Sequence, residues 1–300
     1  MAVPKLLSIL LLALLNRVSA RSFLIANNCK YNVWPGFLSN AGIAPLSTTG
    51  FQLLPGETRT VDLSAGWSGC LWGRTGCTFD STGKGNCSTA DWGGVLECNG
   101  AGALPPASLA EFTLGQGETL DFYDVSLVDG YNLPILVTAQ GGTGACNSTG
   151  CITDLNRSCP RELQLDDGSE GSTVLALKSA CEAFEDPAYC CSGAYGNPNT
   201  CKPSAYSVLF KTACPRAYSY AYDDSTSTFT CTGADYTITF CPTVAMARYS
   251  FITCFIEIPL LLFLVGQRLI TMLWFVCLGA ALKENPIVLP WCSNPPLRFS

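Results

Sequence analysis

Residues 121–132 read DFYDVSLVDGYN. Phe122, Asp124 and Ser126 alternate with Asp121, Tyr123 and Val125, the period of two that marks a β-strand with two unlike faces. Asp124 therefore shares a face with Phe122 and Ser126, while Asp121 points to the other. Asp129 falls on the Asp121 side of that alternation, but it precedes Gly130 in a turn dipeptide, so the strand does not fix its direction. The same alternation recurs in SFLIANN (22–28), YNVWPGF (31–37), TRTVDL (58–63), LAEFTL (109–114) and LPILVTA (133–139), separated by clusters of Gly, Pro, Asn and Asp. Many short strands joined by turns predict a mainly β fold, a sandwich or a barrel.

Only 13% of the chain is charged, yet Asp121, Asp124 and Asp129 fall within nine positions, interleaved with Phe122, Tyr123 and Tyr131. Acids beside aromatics suit a sugar or cation site, and equally suit a solvated strand and turn. Composition narrows the chemistry. The chain holds 18 cysteines and no histidine, which excludes Ser-His and Cys-His nucleophiles and leaves carboxylates as the acid-base groups. Without histidine or zinc-type paired C-x-x-C spacing, no metal is expected, and no cofactor. Between Arg21 and Cys241 there are 11 Lys plus Arg and 21 Asp plus Glu, a net charge of 11 − 21 = −10. Nucleic acid is thereby disfavoured as a partner, because it needs a basic face.

Lys5, the apolar run 6–15 and the small residues 18–20 read as a secretory signal (1–20) cleaved after Ala20. Export to an oxidising compartment makes the cysteines cross-links rather than metal ligands. Two regions interrupt the strand pattern. Residues 76–103 are rich in small residues and carry Cys77, Cys87 and Cys98, and residues 154–214 are cysteine-rich and include the adjacent pair Cys190–Cys191. Neither buries much apolar surface, so disulfides must hold its shape. Within the second, TVLALKSACEAFE (173–185) has apolar residues at helical spacing and predicts a helix. The Gly-rich GQGET (115–119) and GGTGAC (141–146) lack a strand-to-helix setting and read as turns.

By this point the residues resemble a known family, the thaumatin-like proteins of plant pathogenesis-related group 5. The resemblance is carried by NNCKYNVWPG (27–36), WGRTGCTFDSTGKGNC (72–87), PPASLAEFTL (105–114), DFYDVSLVDGYNLP (121–134), CEAFEDPAYCC (181–191), CPRAYSYAYDDSTSTFTC (214–231) and DYTITFCP (235–242). It implies a flattened antiparallel β-sandwich (core 21–74, 106–152 and 215–243) within a domain spanning 21–243. Two small disulfide-rich satellites, a loop domain at 75–105 and a partly helical one at 153–214, flank a cleft. The family cleft is lined by an arginine, a glutamate and three aspartates. The matching acids are Glu111, Asp124, Asp129 and Asp223, the arginine position is Cys70, and Asp121 is left as a surface acid.

The resemblance also implies disulfides Cys29–Cys241, Cys77–Cys87, Cys146–Cys231, Cys151–Cys214, Cys181–Cys190 and Cys191–Cys201. Two further family bridges are broken here, because Trp92 stands where Cys98 should find its partner and Leu177 where Cys159 should. With Cys70 the stretch 21–241 holds 15 cysteines, an odd number, so at least one is unpaired within it. Either the fold survives on six bridges, or Cys70 pairs with Cys98.

Three functions fit this reading. The first is a secreted, monomeric defence protein with antifungal action that binds β-1,3-glucan or another neutral cell-wall polysaccharide through the acidic cleft. The second is a weak endo-β-1,3-glucanase with Glu111 as acid and Asp124 as nucleophile or base. The third is a membrane-tethered surface protein that binds a protein partner. Asn86, Asn147 and Asn156 open N-glycosylation sequons. In the extension 244–300, residues 259–282 are apolar apart from Gln267 and Arg268 and long enough to span a bilayer.

Overall fold

The computed structural model describes residues 21–243 apart from Ser158 and Glu170. The signal stretch 1–20 and the apolar stretch 259–282 lie outside the described residues. Among these, no helix is long and apolar enough to cross a membrane.

Two five-stranded sheets dominate. The first runs in the order β10 (Thr149–Cys151), β9 (Ile135–Gln140), β14 (Asp235–Phe240), β1 (Arg21–Asn27) and β3 (Thr58–Leu63). The second runs β13 (Phe229–Cys231), β8 (Asp121–Ser126), β7 (Leu109–Thr113), β4 (Ser68–Thr75) and β2 (Val33–Ser39). Apolar side chains from both sheets fill the space between them. Phe23, Phe112, Tyr123 and Tyr236 form its aromatic centre, with neighbouring ring centroids 4.6 to 5.2 Å apart. The sandwich departs from the expected antiparallel pattern in one pair: β1 and β14 run parallel, with Phe23 opposite Tyr236 and Asn27 opposite Phe240. A parallel pair needs a long crossover, and here the rest of the domain provides it.

Small sheets mark the two cysteine-rich regions: β5 (Thr78–Phe79) with β6 (Gly85–Asn86), and β11 (Gln164–Asp166) with β12 (Val174–Leu177). The first region is fastened to the sandwich by Arg74. Its side chain is fully buried and donates to the carbonyls of Trp34 (3.0 Å), Val95 (2.8 Å) and Leu96 (2.7 Å). A second, smaller apolar cluster of Cys70, Trp72, Cys98 and Leu109 lies between the outer face of β4 and β7 and this loop region.

The helix expected at 173–185 is two elements. Val174–Leu177 is strand β12, and Leu177 exchanges two backbone hydrogen bonds with Tyr131, at 2.8 and 2.7 Å. Only Ala180–Phe184 (α1) is helical, started by Ser179, whose hydroxyl accepts from the Glu182 amide. Available strand partners decide the first half, since Val174 and Leu177 have helical spacing but a ladder to join. Three other short helices follow: α2 (Pro187–Cys190), α3 (Ala205–Ala213) and α4 (Asp224–Ser227). The sequence reading missed α3, although Ser204 and Ser207 form a reciprocal cap at its start.

Candidate functional site

Strand register builds an acidic row on the outer face of the second sheet. Glu111 on β7 lies opposite Asp124 on β8 on one side and opposite Cys70 on β4 on the other. Residues directly opposite in neighbouring strands share a face, with Cβ atoms about 4.5–5.5 Å apart. Core-facing Asp121, Tyr123 and Val125 alternate with outward Phe122, Asp124 and Ser126, so the strand itself aims Asp124 at Glu111.

Asp124 is fully buried, and neither carboxylate oxygen has a hydrogen-bond partner. Burial, then the neighbouring charges of Glu111 and Asp224, hold its pKa well above the ordinary carboxylate range. Its ionised form is thereby disfavoured. Asp224 is fixed by the Tyr218 hydroxyl, which donates to it at 3.0 Å and also meets the Thr228 hydroxyl. Sequence reasoning passed over Asp224 in favour of its neighbour. A signal was present, since both are acids and Asp224 is the first residue of α4.

Asp223 is 8% exposed and does different work. It accepts from the Ser219 amide and hydroxyl at 3.0 Å each and pairs with Lys211 at 2.9 Å. Its charge is neutralised inside the protein, and it shapes the turn from Ser219 into α4.

Asp129 sits in the loop after β8. Burial pushes its pKa up to about 6. Gly130, at φ +88°, lets this loop press against the 177–182 segment, because a Cβ there would lie 2.4 Å from the Leu177 carbonyl. Glu182 of α1 faces Asp129 across this junction. Its pKa is raised to about 7, chiefly by burial and further by Asp129, against the opposing pull of Lys178. One of its carboxylate oxygens is buried without a hydrogen-bond partner. Sequence reasoning missed Glu182 because the helix expected at 173–185 gave no sign of which face closes on the sandwich.

The four expected acids thus divide. Glu111 and Asp129 are partly accessible, while Asp124 and Asp223 are buried. The accessible edges of Glu111 and Asp129 can accept hydrogen bonds from hydroxyls. Burial keeps Asp124 from standing open to a sugar, as a nucleophile must. No group of three or more His, Cys, Asp or Glu among the described residues has the arrangement to hold a metal ion.

A family model described as Thaumatin family matches residues 27–242. The chain belongs to the thaumatin family. It is 60% identical over 228 residues to Thaumatin-like protein 1 of Arabidopsis thaliana, covering 73% of this chain and 85% of that one. It is 57% identical to Pathogenesis-related thaumatin-like protein 3.5 of Cryptomeria japonica, covering 75% and 92%. A laminaripentaose-producing β-1,3-glucanase in complex with laminaritetraose shares the fold, with TM-score 0.52 at 12% identity over 74% of this chain and 99% of that one.

In this thaumatin-family chain, Asp121 is not the expected surface acid. It is fully buried, ion-paired with Arg21, and accepts from the Tyr236 hydroxyl at 2.7 Å and the Gly115 amide at 2.7 Å. A carboxylate on the core face persists only when its charge is met, and these donors meet it. The described disulfides are Cys29–Cys241, Cys77–Cys87, Cys146–Cys231, Cys151–Cys214, Cys181–Cys190 and Cys191–Cys201. Cys70 is disulfide-bonded, but not to Cys98, which is a free buried thiol, as Cys159 is a free, partly buried one. Of the sequon asparagines, Asn86 and Asn147 are exposed. Asn156 is partly buried and commits its amide nitrogen to the carbonyls of Asn132 and Leu175, both at 3.1 Å.

Proposed function

We propose that this chain is an extracellular, pathogenesis-related protein with antifungal action that retains neutral β-1,3-glucan at the acidic row without hydrolysing it. The domain offers Glu111 and Asp129 as acceptors for sugar hydroxyls, with Asp124 buried beside Glu111. Burial of Asp124 is the observation that carries the preference for binding over turnover. A retaining glycosidase needs two carboxyls about 5–5.5 Å apart, one of them an ionised nucleophile open to the sugar. Glu111 and Asp124 are direct cross-strand neighbours, but the burial of Asp124 opposes the role. The likeness to the glucanase concerns the fold; the reading rests on the acidic row.

The test is retention of secreted protein on insoluble β-1,3-glucan, together with release of reducing sugar from laminarin. Glu111→Gln and Asp129→Ala weaken retention, whereas Asp62→Ala, an exposed acid on β3, leaves it unchanged and controls for net charge. Reducing sugar released by the parent and abolished in Glu111→Gln would replace this reading with that of a weak endo-β-1,3-glucanase.

A further inference from the structure

A groove of about 890 Å³ lies at one end of the sandwich, away from the acidic row, and Tyr31, Lys30, Asp154, Asn156 and Arg157 are among its lining residues. Its volume falls in the range of about 300–1,000 Å³ typical of sites that enclose a ligand of drug size. Its walls are fixed from behind. Buried Asn27 donates to the carbonyls of Tyr31 (2.9 Å) and Leu53 (3.0 Å) and accepts from the Cys29 amide (2.9 Å), and Cys29 is bridged to Cys241. On the opposite wall, the amide of Asn156 ties the short turn Leu155–Arg157 to Asn132 and Leu175.

The lining chemistry selects among ligand classes. Arg157 and Asp154 satisfy one another at 2.9 Å, leaving Lys30 as a single further charge. A cationic ligand therefore finds no free carboxylate in the lining, and an anionic one finds Lys30 alone. Thr75, Ser88 and Thr173 are among the other polar lining residues. The Asn156 side-chain oxygen is a buried acceptor without a hydrogen-bond partner. Tyr31 is 45% exposed, a ring on which the apolar face of a sugar can pack.

We infer that this groove is a second carbohydrate site, separate from the acidic row, that takes a short neutral oligosaccharide of two or three rings with one ring stacked on Tyr31. Pre-fixed walls reduce the ordering cost of binding, and the remaining Arg157 N–H groups and the unpartnered Asn156 oxygen supply directed hydrogen bonds. The inference is independent of the acidic row and stands or fails apart from it.

Calorimetric titration of the secreted full-length protein with laminaritriose and cellotriose tests it, with trigalacturonate as the anionic comparison. A neutral trisaccharide binds the parent and Tyr31→Phe alike, binds Tyr31→Ala and Arg157→Ala at least tenfold more weakly, and is held at this groove equally well by Asp129→Ala. Thermal melts of each variant confirm that it folds, and because Arg157 is exposed, its replacement probes the groove without touching the core. The inference is overturned if neither neutral trisaccharide binds at millimolar concentration, or if every binding event is insensitive to Tyr31 and Arg157. It is also overturned if Asp129→Ala abolishes all binding or trigalacturonate binds more tightly.

Discussion

Replacing Asp129 by asparagine should stabilise the protein at pH 7 and leave it nearly unchanged at pH 4. Asp129 carries a pKa raised from the usual 3.8 to about 6 by burial in the loop that closes on α1. A raised carboxylate pKa means that the folded protein holds its proton more tightly than the unfolded chain. Between the two values the folded state binds more protons, so stability falls as pH rises from about 4 to 6 and stays at the lower level above. The rise corresponds to roughly 3 kcal/mol at neutral pH, taking about 1.4 kcal/mol for each pKa unit. Glu182, raised to about 7, adds a loss of the same sign over a window reaching neutrality. The two are not additive, since Asp129 raises Glu182 and removing it relieves that carboxyl as well. Denaturant unfolding of the parent and Asp129→Asn at several pH values between 4 and 7.5 reads the effect. The variant gains up to about 3 kcal/mol at pH 7, and the gain shrinks toward zero at pH 4. A difference independent of pH, or a less stable variant at pH 7, would refute the reasoning.

Other outcomes follow from the same geometry. Asp121→Asn, which removes the charge that meets Arg21 and loosens the contacts to Tyr236 and Gly115, costs about 3–5 kcal/mol in chemical denaturation; a cost below about 1 kcal/mol would show that the pair is not buried in solution. Cys98, buried and with its thiol pushed up to about 11, stays unlabelled by iodoacetamide at pH 8 until the protein unfolds, whereas the less buried Cys159 reacts first. Glycopeptide mapping of secreted protein finds sugar on exposed Asn147 and none on Asn156, whose amide nitrogen is already committed.

The fold was legible because its signal is local. Alternation in 121–126 and its counterparts decided which side chains face the core, and a period of two leaves little freedom once one face is apolar. Residues 173–185 show where that logic ends, because Val174 and Leu177 fit both periods and only a neighbouring strand settles the choice. The candidate site was half legible. Alternation put Asp124 on one face with Phe122 and Ser126 and the family resemblance added Glu111, yet the depth of its burial depends on elements distant in sequence. Asp121 carries the same lesson in reverse: alternation separated it from Asp124 but left it as a surface acid, because the donors that make it tolerable in the core are Arg21 and Tyr236, 100 and 115 positions away. Glu182 was invisible for the same reason, since its meeting with Asp129 is a property of the junction rather than of either stretch.

The parallel pairing of β1 with β14 also has a consequence in time. The first described strand finds its neighbour only in the last one, and Cys29 and Cys241, 212 positions apart, are joined just beyond that pairing. Contacts of such separation form late and slow folding. During synthesis, β1 can hydrogen-bond to β3 on one edge, but its other edge waits until nearly the whole domain has emerged. A ribosome that stalls before Asp235 therefore leaves an open strand edge in the middle of the first sheet, a natural target for chaperones and quality control. Completion of this domain is thus reported by its final strand, and a chain shortened by a few residues there should be degraded rather than exported.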